Sequence, residues 1–180
     1  ITMELKKTLL EGCFEIEPIT FPDQRGTFTK TFHKKEFKRL GLNSDWTEDY
    51  YTYSKKDVIR GMHLQLPPSD HFKLVHCLYG EVLDVLLDLR SSSPSFGKTH
   101  SLKLSSKKKN GIYISKGIAH GFLSLTEKSL LTYKVSSAHS PKHDTGVSWN
   151  SFGFEWPVKN PIISDRDKTL EELKNFNSPF

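Results

Sequence analysis

Basic side chains are concentrated in the segment Val58–His76, which reads VIRGMHLQLPPSDHFKLVH. It contains Arg60, His63 and Lys73 among residues that favour β-strands. An imidazole is the side chain best suited to exchange a proton near neutral pH, and arginine and lysine bind anionic groups. These side chains either decorate a surface or line the inside of a hollow structure.

Short β-rich segments separated by turn residues must position these side chains. The breaks between them are rich in Gly, Pro, Asn, Asp and Ser, as turns require. Only two helices are predicted, Lys34–Leu40 and Asp167–Phe176. Many short strands with little helix indicate an all-β sandwich or barrel. The predicted strands are Glu15–Phe21, Thr27–Phe32, Trp46–Ser54, Val58–Gln65, Phe72–Tyr79, Glu81–Leu89, Lys98–Leu104, Gly111–Ile114, His120–Leu125 and Leu130–Val135.

Strand alternation bears on where the basic residues point. Successive side chains of a strand face opposite sides, so His63 and Gln65 share one face, and Lys73 and Cys77 share a face of the next strand. A closed or double-sheet structure of eight strands can hold a small ligand at one end of its interior. Alternation alone does not identify the interior face, so surface and cavity both remain open.

Composition narrows the class of protein. The chain has 180 residues, is 36% hydrophobic and 12% aromatic, and predicts one globular domain over residues 1–180, with residues 1–2 an addition ahead of a natural start at Met3. Cys13 and Cys77 have no metal-ligand or redox spacing, so we expect reduced thiols in a cytoplasmic protein. No apolar run predicts a membrane span or signal peptide. The net charge of +5 suits nucleic acid or a smaller polyanion equally well.

Eight stretches, in order and with matching spacing over nearly the whole chain, resemble one family. That family is the nucleotide-sugar 3,5-epimerases, typified by dTDP-4-dehydrorhamnose 3,5-epimerase. Each stretch alone would be weak, and the ordered set is a strong signal. The stretches are FPDQRGTF (21–28), VIRGMHLQ (58–65), KLVHCLYGEVLDVLLDLRSSSPSFGK (73–98), GIAHGFLSL (117–125), YK (133–134), GVSWN (146–150), FEWP (154–157) and PIISDRD (161–167).

The resemblance implies an all-β cupin-type jelly roll, a double-stranded β-helix barrel, with short peripheral helices. It further implies a homodimer that requires no metal or organic cofactor. Family members act on nucleoside-diphosphate 4-keto-6-deoxy sugars, which they invert at C3 and C5 through an enolate. The resemblance therefore predicts a cofactor-independent epimerase, with a nucleotide sugar as its partner and no nucleic acid or membrane.

The same resemblance implies four catalytic roles. His63 matches the general base, and Asp167 matches the carboxylate paired with it. Lys73 matches the lysine that stabilises the enolate, and Tyr133 matches the general acid. The chemistry requires such a set, because a C–H next to a ketone is a weak acid whose anion carries charge on oxygen. A phenol, with an ordinary pKa near 10, is protonated at neutral pH and can donate to the opposite face.

Substrate-binding positions also follow from the resemblance. Arg25 and Arg60 match arginines that contact the diphosphate or nucleotide, and the Arg25 segment is expected to reach the partner subunit's site. His120 matches a histidine of the pocket, and Asp84 is a candidate to support it. The other histidines, His71 in the LPPSD turn and His76, His100 and His143, are expected to be structural or on the surface. Further expected substrate-binding residues are Phe28, Glu48, Gln65 and His139.

The chain departs from the family pattern around this catalytic set. Lys30 stands where the family usually has Glu, and Glu48 and Tyr50 stand where it usually has Gln and Asn. Ala138 and His139 replace a pair of tyrosines. The catalytic set survives while its binding frame changes, so we hypothesise that the reaction is retained and that the sugar or nucleotide differs from dTDP-4-keto-6-deoxyglucose.

Three alternatives remain open on sequence alone. The first is a single-carbon epimerase, inverting only C3 or C5 of a GDP- or CDP-linked 4-keto heptose or dideoxy sugar. The second is a metal-dependent cupin, which the sequence disfavours because no histidine follows His63 two residues on. The third is a non-catalytic module that binds sugar or nucleic acid, which would not require a base, an ammonium and an acid together.

Overall fold

The computed structural model describes residues 2–180. Ile1, one of the two residues expected to precede the natural start, lies outside the described residues. No helix in the described part has the length and apolar character needed to span a membrane. The strands are β1 (Glu4–Lys7), β2 (Phe14–Glu17), β3 (Ile19–Asp23), β4 (Gly26–Lys30), β5 (Glu48–Lys55), β6 (Ile59–Gln65), β7 (Lys73–Tyr79), β8 (Glu81–Asp88), β9 (Thr99–Ser105), β10 (Gly111–Ile114), β11 (Ile118–Ser124), β12 (Lys128–Val135) and β13 (Asp144–Gly146). The helices are α1 (Lys34–Arg39), α2 (Asp165–Lys168) and a 3₁₀-helix, Leu173–Asn175.

Two antiparallel sheets and one hairpin make up the fold. The six-stranded sheet has the order β1-β2-β10-β7-β12-β5, and the five-stranded sheet has the order β13-β6-β11-β8-β9. From β5 to β8 the chain changes sheet at every connection, and it does so again from β9 to β12, which is the winding of a jelly roll. The β3–β4 hairpin stands apart as a two-stranded sheet. The all-β prediction is confirmed.

Hydrophobic side chains from both sheets fill the space between them. Val75 and Leu131 of the six-stranded sheet pack in one buried cluster with Leu86 and Phe122 of the five-stranded sheet. The outer face of the five-stranded sheet is covered by the C-terminal segment, which contributes Trp156. Filling one end of the interior with hydrocarbon leaves the other end for polar groups.

Helix α1 covers part of the outer face of the six-stranded sheet. It begins after His33, whose Nδ1 accepts a hydrogen bond from the Glu36 amide at 3.4 Å, and it ends at Arg39, two residues before Gly41, which has φ +72°. Phe37 is fully buried and meets the rings of Trp46 and Tyr113 edge-on. The predicted helix Lys34–Leu40 is confirmed to within one residue.

The second predicted helix, Asp167–Phe176, is wrong. The chain forms a single helical turn, Asp165–Lys168, capped by Ser164, and departs at Thr169. Beyond it, the Glu171 carbonyl accepts a hydrogen bond from the Ser148 amide at 2.7 Å, which holds this segment against the sheet. Tertiary pairing outweighs the helix propensity of this lysine- and glutamate-rich stretch.

Other strand boundaries also differ from the predictions. The predicted strand Glu15–Phe21 is interrupted at Pro18 and becomes β2 and β3, because proline cannot donate to a sheet ladder. Strands β1 and β13 were not predicted. β1 is a charged, largely exposed edge strand, and β13 has three residues, so neither shows an apolar alternation.

A bulge in β6 decides which way its functional side chains point. His120 of β11 pairs with His63, but Phe122, two residues on, pairs with Arg60, three residues back. The extra residue in β6 turns Arg60 and His63 to the same side, although regular alternation would separate them. The bulge depends on Gly61, which has φ +139° and lies against Gly121.

Replacing Gly61 with alanine should destabilise the fold. The added Cβ would lie 2.6 Å from the Gly121 Cα, at a φ that side chains rarely adopt. The backbone strain alone costs about 1–3 kcal/mol, and the clash with another backbone adds to it, so urea denaturation should show a lower unfolding free energy. Gly26→Ala is the matched control, since Gly26 has φ +127° but no atom near its Cβ position. Equal losses in the two variants would contradict the packing argument.

Candidate active site

A cavity of about 490 Å³ opens between the two sheets at the polar end of the interior. Its volume is in the range of small-molecule sites. Arg60, His63 and Lys73 of the segment Val58–His76 therefore line an interior rather than decorate a surface. The residues around it are Glu48, Tyr50, Thr52, Arg60, His63, Leu64, Gln65, His71, Lys73, His120, Phe122, Tyr133, Val135, His139, Asp144 and Arg166.

Strand register brings three of the four catalytic candidates, His63, Lys73 and Tyr133, to this cavity. In the six-stranded sheet, Val135 of β12 pairs with Lys73 of β7, and Tyr133, two residues earlier, therefore lies on the same face as Lys73. In the five-stranded sheet, His63 faces the cavity beside its cross-strand partner His120. The imidazole and the ammonium thus come from opposite sheets and meet across the interior.

His63 forms a hydrogen-bonded pair with Asp167. Its Nε2 lies 2.7 Å from Asp167 Oδ1, and Asp167 Oδ2 accepts a hydrogen bond from the Gly61 amide at 3.1 Å. The carboxylate is only 3% exposed, and its own amide donates to Ser164 Oγ at the start of α2. A carboxylate accepts the Nε2 proton, so Nδ1 remains the nitrogen that can act as a base.

Burial and pairing shift the pKa values of both partners. Burial lowers the pKa of His63 below its ordinary 6.5, because it outweighs the hydrogen bond and charge of Asp167 that act to raise it. Burial acts to raise the pKa of Asp167, but the hydrogen bond and charge of His63, with the Gly61 amide, bring it below its ordinary range. His63 is therefore neutral and able to take a proton at neutral pH, with an ionised carboxylate behind it.

Lys73 brings a nearly buried ammonium to the cavity. The residue is 7% exposed, and its Nζ donates to the His63 carbonyl at 3.3 Å. Burial lowers its pKa to about 8, although the charges of Asp144 and Asp84 oppose this. At neutral pH the side chain is still largely protonated, so the cavity holds a positive charge of the kind that can stabilise an oxyanion.

Tyr133 presents a phenol from the same sheet as Lys73, across the cavity from His63. Its Oη lies 3.2 Å from Thr52 Oγ1, and its ring stacks on Tyr50 with centroids 4.8 Å apart. Burial raises the pKa of Tyr133 well above its ordinary value of 10. The phenol is therefore protonated throughout the neutral range and can act only as a proton donor in the resting protein.

The pH dependence of kcat/KM should be bounded by His63 and Lys73. Activity should rise as His63 loses its proton below pH 6.5, since a base must be neutral, and fall above about pH 8 as Lys73 loses its charge. Steady-state rates over this range measure both limbs. In Lys73→Arg the alkaline limb should move upward, because a guanidinium keeps its proton. An unmoved alkaline limb would contradict the assignment to Lys73.

The structure places four of the expected binding residues at the cavity besides His120. Arg60 donates through Nε to Ser54 Oγ at 3.0 Å, which fixes its guanidinium against β5. Gln65 donates through Nε2 to the carbonyl of Ser69, in the turn between β6 and β7, at 2.7 Å. Glu48 accepts a hydrogen bond from the His139 amide at 2.8 Å, so two positions that depart from the family pattern contact each other.

Arg25 and Phe28 do not reach the cavity of their own chain. Both lie on the β3–β4 hairpin, where the Arg25 side chain is 85% exposed and pairs with Asp23 at 2.6 Å. Phe28 is also largely exposed, beside the ring of Phe21. Lys30 lies at the end of the same hairpin. A role for this hairpin at an active site requires a second subunit.

Sequence reasoning missed three charged or imidazole side chains of the cavity wall, besides several uncharged ones. His71, assigned to a turn, lines the cavity, and its Nδ1 lies 3.1 Å from Ser137 Oγ. Arg166 and Asp144 form an ion pair of 2.8 Å at the cavity. The position of Arg166 next to Asp167 was a usable signal, whereas nothing in the local pattern around Asp144 or His71 indicates the cavity.

Within residues 2–180, no three or more His, Cys, Asp and Glu side chains converge in an arrangement suited to a metal. His63 and His120 each use Nε2 to bind a carboxylate instead.

A jelly roll with a polar cavity between its sheets is the architecture of a cupin-type protein, and the relatives of this chain are epimerases, a class of isomerase that moves protons on carbon. The chain belongs to the dTDP-4-dehydrorhamnose 3,5-epimerase family, whose model matches residues 7–175. The resemblance read from the sequence is thereby confirmed, and so are the cupin-type fold and the enzyme class.

Individual relatives cover almost the whole chain. The dTDP-4-dehydrorhamnose 3,5-epimerase of Shigella flexneri is 39% identical and covers 92% of this chain and 93% of its own. The crystal structure of the Bacillus anthracis enzyme, with TDP and PPi bound, has a TM-score of 0.93 and 36% identity, covering 96% of this chain and 100% of that one. A 3'-monoepimerase from Streptomyces bikiniensis in complex with dTDP-quinovose has a TM-score of 0.87 and 29% identity, covering 92% and 86%.

Proposed function

We propose that the protein epimerises a nucleoside-diphosphate 4-keto-6-deoxy sugar at C3 and C5, with His63 as base, Lys73 as enolate stabiliser and Tyr133 as acid. The observation that carries this proposal is the meeting of the three groups in one cavity, from opposite sheets. Family membership supports the reaction class, and the shifted pKa values support each protonation state.

The geometry supports the following proton transfers. His63 Nδ1 takes the proton from the carbon next to the C4 ketone, and the electron pair of the C–H bond moves onto the C4 oxygen beside the Lys73 ammonium. Tyr133 then donates its proton to the opposite face of that carbon, which restores the ketone with inverted configuration. His63 is left protonated and Tyr133 as phenolate, and proton exchange with solvent resets both. Asp167 stabilises the imidazolium while it exists.

The guanidinium groups at the cavity are the proposed binding groups for the diphosphate. Arg60 and Arg166 both line it, and guanidinium groups match phosphate oxygens in geometry as well as charge. The nucleotide and sugar are set by the surrounding frame, where Glu48, Tyr50 and His139 depart from the family pattern. We propose that this frame selects a sugar or nucleotide other than dTDP-4-keto-6-deoxyglucose.

A homodimer would complete the site. Three apolar residues of the six-stranded sheet, Tyr51, Tyr53 and Leu78, are exposed on its outer face, and Phe28 and Arg25 are exposed on the neighbouring hairpin. A second copy of the chain would cover this apolar area and bring the partner's hairpin to the cavity. We also propose that residues 1–180 act as one epimerase domain in the cytoplasm, where the two buried thiols stay reduced.

Incubation in heavy water tests the function. Candidate 4-keto sugars linked to dTDP, GDP and CDP are supplied, and NMR follows deuterium at C3 and C5. We expect uptake at both carbons with at least one substrate. No uptake with any of them would refute the proposal. A thermal-shift series with free dTDP, GDP and CDP measures nucleotide preference independently of catalysis. A clear preference for dTDP would count against the proposal that the nucleotide differs from dTDP.

Single-carbon epimerisation is the second candidate. The structural likeness to a 3'-monoepimerase favours it, because the two reactions require the same base, ammonium and acid. In the same experiment it predicts deuterium at one carbon only, with inversion confined to that carbon.

A further inference from the structure

A second imidazole–carboxylate pair lies beside the first. His120 Nε2 is 2.8 Å from Asp84 Oδ2, and His120 lines the cavity as the cross-strand partner of His63. Both members are buried, with Asp84 0% exposed. The reaction proposed above assigns no role to Asp84.

Asp84 is expected to destabilise the interior in which it is buried. Its Oδ1 is buried and has no hydrogen-bond partner within residues 2–180. A buried carboxylate oxygen without a partner is destabilising, so its presence requires an explanation. Its neighbours on the same face of the barrel are hydrocarbon, including Leu86 and Phe122, so packing alone would favour an apolar residue at this position.

The pair also has a defined relation to the acid. The His120 ring meets the Tyr133 ring edge-on, with centroids 6.2 Å apart. Because a carboxylate only accepts hydrogen bonds, Asp84 keeps the proton on His120 Nε2 and leaves Nδ1 for the cavity. His120 therefore lies between His63 and Tyr133, and its hydrogen bond to Asp84 determines its tautomer.

We propose that Asp84 is a positioning residue that acts through His120, holding Nε2 protonated and presenting Nδ1 to the sugar between His63 and Tyr133. The proposal rests on the epimerase function. In both His63–Asp167 and His120–Asp84, a carboxylate fixes the tautomer of an imidazole. The difference is that His120 contacts the substrate and does not remove its proton.

A double-mutant cycle tests the proposal. Asp84→Asn keeps the shape but lets the amide donate, so His120 can adopt the other tautomer, and kcat should fall on the order of 10- to 100-fold, as for other carboxylates that orient a functional imidazole. KM should change little. In the His120→Gln background the same change should cost almost nothing in kcat, because the residue through which Asp84 acts is gone. Equal losses of kcat in both backgrounds would overturn the proposal.

Asp88→Asn is the matched control. Asp88 is equally buried on the same strand, but it binds Arg90, Ser93 and Ser95 in a loop outside the cavity. This variant should lower the melting temperature and leave kcat unchanged. If Asp84→Asn likewise changed only the melting temperature, Asp84 would be merely structural and the proposal would fail.

Nitrogen-15 NMR of His120 in the unaltered protein provides a further test. It requires no substrate and does not depend on whether a variant folds. The proposal predicts a protonated Nε2 in the resting protein, and a protonated Nδ1 with a bare Nε2 would overturn it. Absence of heavy-water exchange with every nucleotide sugar would instead count against the epimerase function, so the two failures are distinguishable.

Discussion

His63→Ala should lower kcat for epimerisation by about 10²–10⁴-fold, the usual contribution of a positioned general base. Deuterium uptake at both C3 and C5 should fall in parallel, because His63, with Asp167 behind it, is the proposed base at both carbons. The measurement is the initial rate of exchange in heavy water, at the pH of maximal activity. Retained exchange in the variant would show that another group removes the proton.

A histidine outside the cavity provides the control for this variant. His100 lies on β9, and its Nδ1 accepts a hydrogen bond from the Leu9 amide at 3.4 Å. His100→Ala should leave the exchange rate within a factor of about two, since the change is remote from the site. Circular dichroism of both variants confirms that the loss in His63→Ala is chemical and not a loss of fold.

Lys73→Met should lower kcat by on the order of 10²–10³-fold, the typical cost of removing one group that stabilises an oxyanion. Methionine retains the length and apolar stem of lysine but removes the ammonium that lies next to the His63 carbonyl. KM should change less than kcat, because the charge on oxygen develops only as the C–H bond breaks. Single-turnover rates at saturating substrate separate the two effects.

Lys134→Met is the matched control for charge. Lys134 is on β12 next to Tyr133, but its side chain pairs with Asp49 on the outer face of the sheet. A surface pair of this kind contributes little to stability, and the variant should keep its full kcat. A comparable loss in both lysine variants would indicate a general effect of net charge and not the stabilisation of an enolate.

Strand positions and motif residues were predictable because they depend on local pattern. Alternating apolar residues and turn signals identified the central strands, whose observed limits agree closely for β6, β7 and β8. Family-like stretches identified His63, Lys73 and Tyr133, and all three line the cavity. Their roles stay predictions until the variants are measured.

Long-range contacts were not predictable from local pattern, since they depend on residues distant in the chain. The pairing of Asp167 with His63, more than a hundred residues away, was expected only from the family resemblance, and the short helix that presents Asp167 was predicted too long. His71 was assigned to a turn, yet the fold places it at the cavity. No local periodicity carries information of this kind.

By itself the sequence determined the class of fold, the family and the chemical character of the site, because these follow from residue types in order along the chain. The tertiary structure decided which side chains face inward. The bulge at Gly61 turns Arg60 and His63 to one side, and the pairing of strands from two sheets encloses them with Lys73 and Tyr133. The physical reason is that the cavity wall is built from strands that are distant in the sequence. Packing and strand register set the relative positions of these strands, and no single segment contains that information.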